Sequence, residues 1–121
     1  MPKLLIVDDE IDIREFAKRF FIKRSIDVIT ASGGCEALDI IARDKPDLVL
    51  LDVRMEELGG VEVLRELRGQ QNEIKVIMVS GTEDQSIIAE AKNFGVKEFI
   101  HKPLVLEELE KIVLAELARR P

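Results

Sequence analysis

Five short runs rich in valine, isoleucine and leucine recur along the chain, at Leu4–Val7, Asp27–Thr30, Leu48–Leu51, Val76–Val79 and Glu98–Ile100, the last with Val96 just before it. The segments between them have a different period. In the first, Ile13, Phe16, Ala17, Phe20 and Arg24 follow the i, i+3, i+4 spacing of one helix face, with charges opposite. The second places Ala37, Leu38, Ile41 and Ala42 behind Ser32-Gly33-Gly34, the third Val61, Leu64 and Leu67, and the fourth Ile87, Ile88, Ala91 and Phe94. The last runs from about Leu106 to Leu117, with Leu109, Ile112, Val113 and Leu117 on one face. Strands and helices that alternate five times imply a parallel sheet with right-handed crossovers and helices on both faces. The first and third runs are apolar on both sides of the pleat, as central parallel strands must be. Pro46 and Pro103 fall between elements, and Gly95 after Phe94 suits a left-handed helix C-cap. No repeat or low-complexity linker interrupts the pattern. At 121 residues, close to the commonest domain size, residues 1–121 are expected to form one α/β domain.

Composition narrows the class. Hydrophobic residues make up 46% and charged residues 35%, a globular profile rather than a disordered one. Met1-Pro2-Lys3 is followed by only four apolar residues, too few for a signal peptide or a membrane span. The single cysteine, Cys35, excludes a disulfide framework, and a cytoplasmic protein without membrane contact is expected. A net charge of −6, from 18 basic and 24 acidic side chains, repels a phosphate backbone, so direct nucleic-acid binding is not expected. Lys18/Arg19 with Lys23/Arg24 keep helical spacing and read as a solvated helix face, and Arg119-Arg120 ends the chain's basic groups.

Ligands of an open doubly wound sheet bind beyond the carboxyl ends of its strands. Asp8, Asp9 and Glu10 follow the first run, Asp52 ends the third, Ser80-Gly81-Thr82 ends the fourth, and His101-Lys102-Pro103 ends the fifth. The three aspartate carboxylates, the Ser80 hydroxyl and the Lys102 ammonium are thus expected on one sheet edge. Two like charges about 4 Å apart repel by roughly 4 kcal/mol at an effective dielectric of about 20, so Asp8, Asp9 and Asp52 would raise one another's pKa values unless a cation sat among them. A hard divalent ion with oxygen ligands resolves this, and Mg²⁺, which tolerates retained waters, is the expected one. Such an ion can also bind a phosphoryl oxygen, with Lys102 and Ser80 on the other two and a carboxylate as nucleophile.

The set Val7-Asp8-Asp9, Asp52 with Met55 and Gly60 behind it, Ser80-Gly81 and Lys102-Pro103 resembles that of response-regulator receivers, in order and spacing, over nearly the whole chain. The resemblance implies a flavodoxin-like strand order 2-1-3-4-5 with five helices. It implies that Asp52 is the phosphoacceptor and that Asp9 binds Mg²⁺ directly, with Asp8 in or beside the ion's water shell and the backbone carbonyl of Arg54 completing the protein ligands. Lys102 would pair with the phosphoryl group, Ser80 would hydrogen-bond it, the Gly81 amide would assist, and Phe99 would turn as Ser80 moves. The Lys102-Pro103 peptide would be cis. Partners implied are a sensor histidine kinase or histidine phosphotransfer protein upstream, and an effector protein or domain downstream. A dimer through the fourth helix, fifth strand and fifth helix is one implied arrangement, and the chain would be a stand-alone regulator or the receiver part of a longer one. Three positions depart from the commonest pattern: Glu56 for proline, Gly81 for alanine, and Phe99 without a tyrosine hydroxyl. These bear on phosphoryl lifetime and output contacts.

Blander readings exist for several residues. Asp52 alone is a strand-end aspartate, and Lys102 alone a surface lysine. Glu10 or Asp12 can cap the first helix, and Thr82 and Asp84 the fourth. Phe99 can be ordinary core, Cys35 a small helical side chain, and His101 a loop contact. Gly33-Gly34 and Gly59-Gly60 lack a phosphate-loop lysine and read as loop and helix-start glycines. Among rivals, a dehalogenase-like aspartyl-phosphate phosphatase wants a second aspartate two residues after its nucleophile, where Arg54 stands. A flavodoxin-like cofactor binder wants a hydroxyl- and glycine-rich loop where Asp8-Asp9 stand. A phosphorylation-independent interaction module would not need the acceptor, metal and lysine positions. The protein is therefore expected to catalyse only its own phosphorylation and slow dephosphorylation.

Overall fold

A computed structural model describes residues 1–55, 58–81, 85–96 and 98–119. Five strands and five helices alternate: β1 (Lys3–Val7), α1 (Ile11–Ile22), β2 (Asp27–Ala31), α2 (Gly34–Asp44), β3 (Leu48–Asp52), α3 (Gly60–Gly69), β4 (Lys75–Ser80), α4 (Gln85–Asn93), β5 (Glu98–His101) and α5 (Leu106–Ala118). All pairings are parallel, in the order β2-β1-β3-β4-β5, the flavodoxin-like arrangement expected of the chain. Each strand runs slightly beyond its apolar run. At β3 and β4 the extra residues are Asp52, paired with Val79, and Ser80, paired with His101. The hydrogen-bond ladder therefore reaches the chemistry-bearing residues themselves.

Two cores lie on opposite faces of the sheet. One joins Leu5, Val7, Val49, Leu51 and Met78 to Ala37, Ile41, Val61, Leu64, Leu67 and Ala91 of α2, α3 and α4. The other joins Leu4, Ile6, Leu48, Leu50 and Ile77 to Ala17, Phe21, Leu109 and Val113 of α1 and α5. The α1 face differs from its sequence expectation: Phe16 is 63% exposed, and the core residues are Ala17 and Phe21. Apolar residues occur around much of this helix, so spacing alone does not choose its phase. Small Ala17 lets the helix approach the sheet and Phe21 fills the gap. Phe20, half-buried, packs edge-on against Phe21 with ring centres 5.1 Å apart, and Arg24 stacks over its ring. In α2, Ile40 takes the buried place expected for Ala42. Gly95 has the left-handed conformation expected after α4, φ +88°. No helix among the described residues is long and apolar enough to cross a membrane.

Candidate functional site

The ends of β1, β3, β4 and β5 bring their polar residues to one edge. Asp8, just past β1, is 3% exposed and has every polar group engaged. Its N–H donates to Ala31 O at 3.2 Å, and its carbonyl accepts from Arg14 at 2.6 Å. Its Oδ1 accepts from the Glu10 amide at 2.9 Å, and its Oδ2 lies 3.4 Å from Lys102 Nζ. Asp9 and Glu10 are exposed, and the carboxylates of Asp8, Asp9 and Glu10 can bring oxygens within 4.8 Å of one another.

Asp52 is also 3% exposed. Its Oδ1 accepts from the Arg54 amide at 3.3 Å and its Oδ2 from Lys102 Nζ at 3.1 Å. Gly60 closes the loop behind it: its N–H donates to Val53 O at 3.0 Å, and an added Cβ would collide with the Asp52 carbonyl oxygen. Ser80 is buried one position beyond the β4 partner of Asp52. The Lys102 amide donates to Ser80 O at 2.9 Å, and the Lys102-Pro103 peptide is cis. Gly81 is exposed, and a Cβ there would meet nothing within 4 Å. Arg54 is exposed. Phe99, half-buried on β5 opposite Met78, packs against the core that includes α3 and α4.

Burial, followed by the Asp8 charge, raises the Asp52 pKa above the ordinary carboxylate value, outweighing Lys102 and the Arg54 amide. Burial works against the Lys102 ammonium, but the hydrogen bond and charge of Asp52, with Asp8, raise its pKa overall. The imbalance has a simple source: one ammonium lies within 4 Å of carboxylates from Asp8, Glu10 and Asp52. The donor set is hard oxygen with excess negative charge, which fits a divalent cation such as Mg²⁺.

Two participants escaped the sequence expectations. Glu10 occupies the N-cap position of α1, but its side chain makes no cap hydrogen bond and instead lies 3.9 Å from Lys102. Arg14 reaches back from α1 to the Asp8 carbonyl. Its six-residue offset from Asp8 was the available signal, since one helical turn returns such a side chain toward its own N-terminus. Glu56, Thr82 and Asp84 lie outside the described residues.

The family model for the response regulator receiver domain matches residues 4–114. Response regulator MprA of Mycobacterium tuberculosis is 36% identical over 117 residues, 97% of this chain and 51% of that protein. The chain thus spans about half the length of this relative. Sporulation initiation phosphotransferase F of Bacillus subtilis is 33% identical over 111 residues, 92% of this chain and 90% of that protein. The receiver domain of Francisella response regulator 1452 superposes with a TM-score of 0.89 at 31% identity, covering 97% of both chains.

Proposed function

Because this chain belongs to the response regulator receiver domain family of two-component signalling, we propose that it accepts a phosphoryl group on Asp52 from a phosphohistidine of a kinase or phosphotransfer partner. The observation that carries this reading is the buried Asp52–Lys102 contact at 3.1 Å, with Asp8 beside it. A carboxylate oxygen of Asp52 forms the new P–O bond as the P–N bond to the donor imidazole breaks, its electron pair staying on the ring nitrogen. Burial and the Asp8 charge disfavour the ionised Asp52 carboxylate, and positive charge nearby favours it. Asp8, Asp9, Asp52 and the Arg54 carbonyl would hold Mg²⁺, which supplies charge neutralisation on the phosphoryl oxygens. Lys102 holds a further oxygen, and the Ser80 hydroxyl and Gly81 amide serve the remainder.

The donor has an apolar landing place beside the site. Ile11 and Phe16 are 61% and 63% exposed, and Phe16 lines a groove of about 360 Å³ with Ile13, Ala17, Pro103, Leu104 and Leu106, next to Lys102. Output runs the other way: Ser80 moves toward the phosphoryl group, Phe99 turns, and the surface of α4, β5 and α5 changes for an effector or a second copy. Residues 1–121 act as the receiver domain, between a phosphohistidine donor upstream and an effector downstream.

Incubation with Mg²⁺ and a small acyl phosphate is expected to add one phosphoryl mass to the intact chain, and Asp52→Asn to abolish the addition. An Asp52→Asn variant labelled like the parent would place the nucleophile elsewhere and overturn the reading.

A further inference from the structure

We propose that Arg14 is a positioning residue for the divalent cation, holding the Asp8–Glu10 turn in the shape that presents its carboxylates; this rests on the metal reading given above. β1 ends at Val7, so the Asp8 carbonyl of a 3% exposed residue leaves the ladder and needs another donor. Arg14, the fourth residue of α1, provides it at 2.6 Å, while its own amide donates to Glu10 O at 3.2 Å. Side chain and backbone of one residue thus grip the turn on both sides of Asp9. Asp9 itself is exposed, and its carboxylate is aimed by the backbone between these two grips.

Charge alone argues against a cation at this place. The N-terminal turn of a helix disfavours positive side chains, and a guanidinium near a metal site repels the metal. If Arg14 acted only through its charge, removing it would tighten Mg²⁺ binding. If it acts through geometry, removing it loosens binding, as loss of groups that orient metal ligands commonly does. The two roles therefore predict opposite signs.

The test is an Mg²⁺ titration by calorimetry and amide NMR, since the chain has no Trp or Tyr for fluorescence. Arg14→Gln is expected to bind Mg²⁺ about tenfold more weakly, at the low end of the range for outer-shell partners. Arg14→Lys, which can donate to the same carbonyl, should recover most of the affinity. In the metal-free protein the Asp9 and Glu10 amide resonances should shift in Arg14→Gln and shift less in Arg14→Lys, a readout independent of metal. Unchanged or tighter binding in Arg14→Gln, or equal loss in both variants, overturns the positioning role. Asp9→Asn separates the premises: if it leaves Mg²⁺ binding intact, the metal site itself is wrong, whatever Arg14 does.

Discussion

Around β1 and β3 the strand interiors are closed to water, whereas the flank of α4 and β5 is held by few buried side chains. Leu4–Val7 and Leu48–Asp52 are all buried, with Leu4, Leu5, Leu48, Val49 and Leu51 at 0% exposure. In α4 the one buried residue among those described is Ala91, and in β5 it is Ile100. The aspartates stand on the first region, and the proposed switch residue Phe99 on the second. A nucleophile needs a fixed position, which dense packing supplies. A surface that must change needs low local stability. The proposed division of labour matches where the apolar side chains lie.

The comparison is most exposed to a matched pair of truncations. Leu51→Ala empties a fully enclosed site on β3 and should cost about 2–5 kcal/mol in denaturant unfolding. Ile87→Ala removes a half-buried side chain from α4 and should cost about 1 kcal/mol or less. Equal losses would mean that α4 is as firmly packed as the centre, and the distinction would fail.

Much of the central region is legible in the sequence. Strands buried on both faces must be continuously apolar, so β1 and β3 announce themselves, and the residues ending them fall at the site edge by topology alone. The strand order came through resemblance, since periodicity does not choose among parallel orders. Spacing does not give the α1 phase, because Phe16 and Phe21 are equally apolar and only the sheet decides which fits. Arg68 bonds to backbone carbonyls that carry no sequence signature, and the offset of Arg14 from Asp8 gains meaning only once α1 is in place.

The rigid region also contains its own conflict, and pH should reveal it. Burial and Asp8 raise the Asp52 pKa from its ordinary 3.8, so the folded metal-free chain holds this proton more tightly than the unfolded one. The associated stability is full below that ordinary value and is lost as pH rises through the folded value, so the ionised carboxylate carries the penalty. Lys102 acts in another window: its pKa is raised above 10.5, so its contribution is intact at neutral pH and lost only as pH rises through its alkaline folded value. Asp52→Asn should therefore raise the metal-free melting temperature at pH 7 by calorimetry, with the gain shrinking toward acid. Lys102 also has Asp8 at 3.4 Å, a partner that this substitution does not remove. Asp9→Ala should give a smaller gain, since Asp9 is exposed and water screens its charge. A lower melting temperature for Asp52→Asn at pH 7 would show that the Lys102 bond outweighs burial and repulsion.

The smallest effect concerns how the loose flank is tied down. Arg68 of α3 donates to Phe94 O just past α4 at 2.8 Å, and to Asn72 O and Ile74 O at 2.8 and 3.0 Å. A second arginine of α3, Arg65, pairs with Glu90 near the middle of α4. Burial lowers the Arg68 pKa, yet a guanidinium stays charged across the physiological range, so the three bonds are charge-assisted. Arg68→Gln shortens the reach and leaves the Phe94 carbonyl to water. The expected global cost is about 1 kcal/mol, because the carbonyls lie near the surface and can be rehydrated. Locally the effect should be larger in kind: amides of Ala91–Phe94 should exchange with solvent about tenfold faster, the equivalent of roughly 1.4 kcal/mol of local opening. Amides of β1 and β3 should show no selective change beyond the global loss. If hydrogen exchange instead accelerates equally in α4 and β3, the two regions open as one cooperative unit. Phe99 would then have no softer neighbour to move against, and a signal from Ser80 would have to deform the whole sheet to reach the surface.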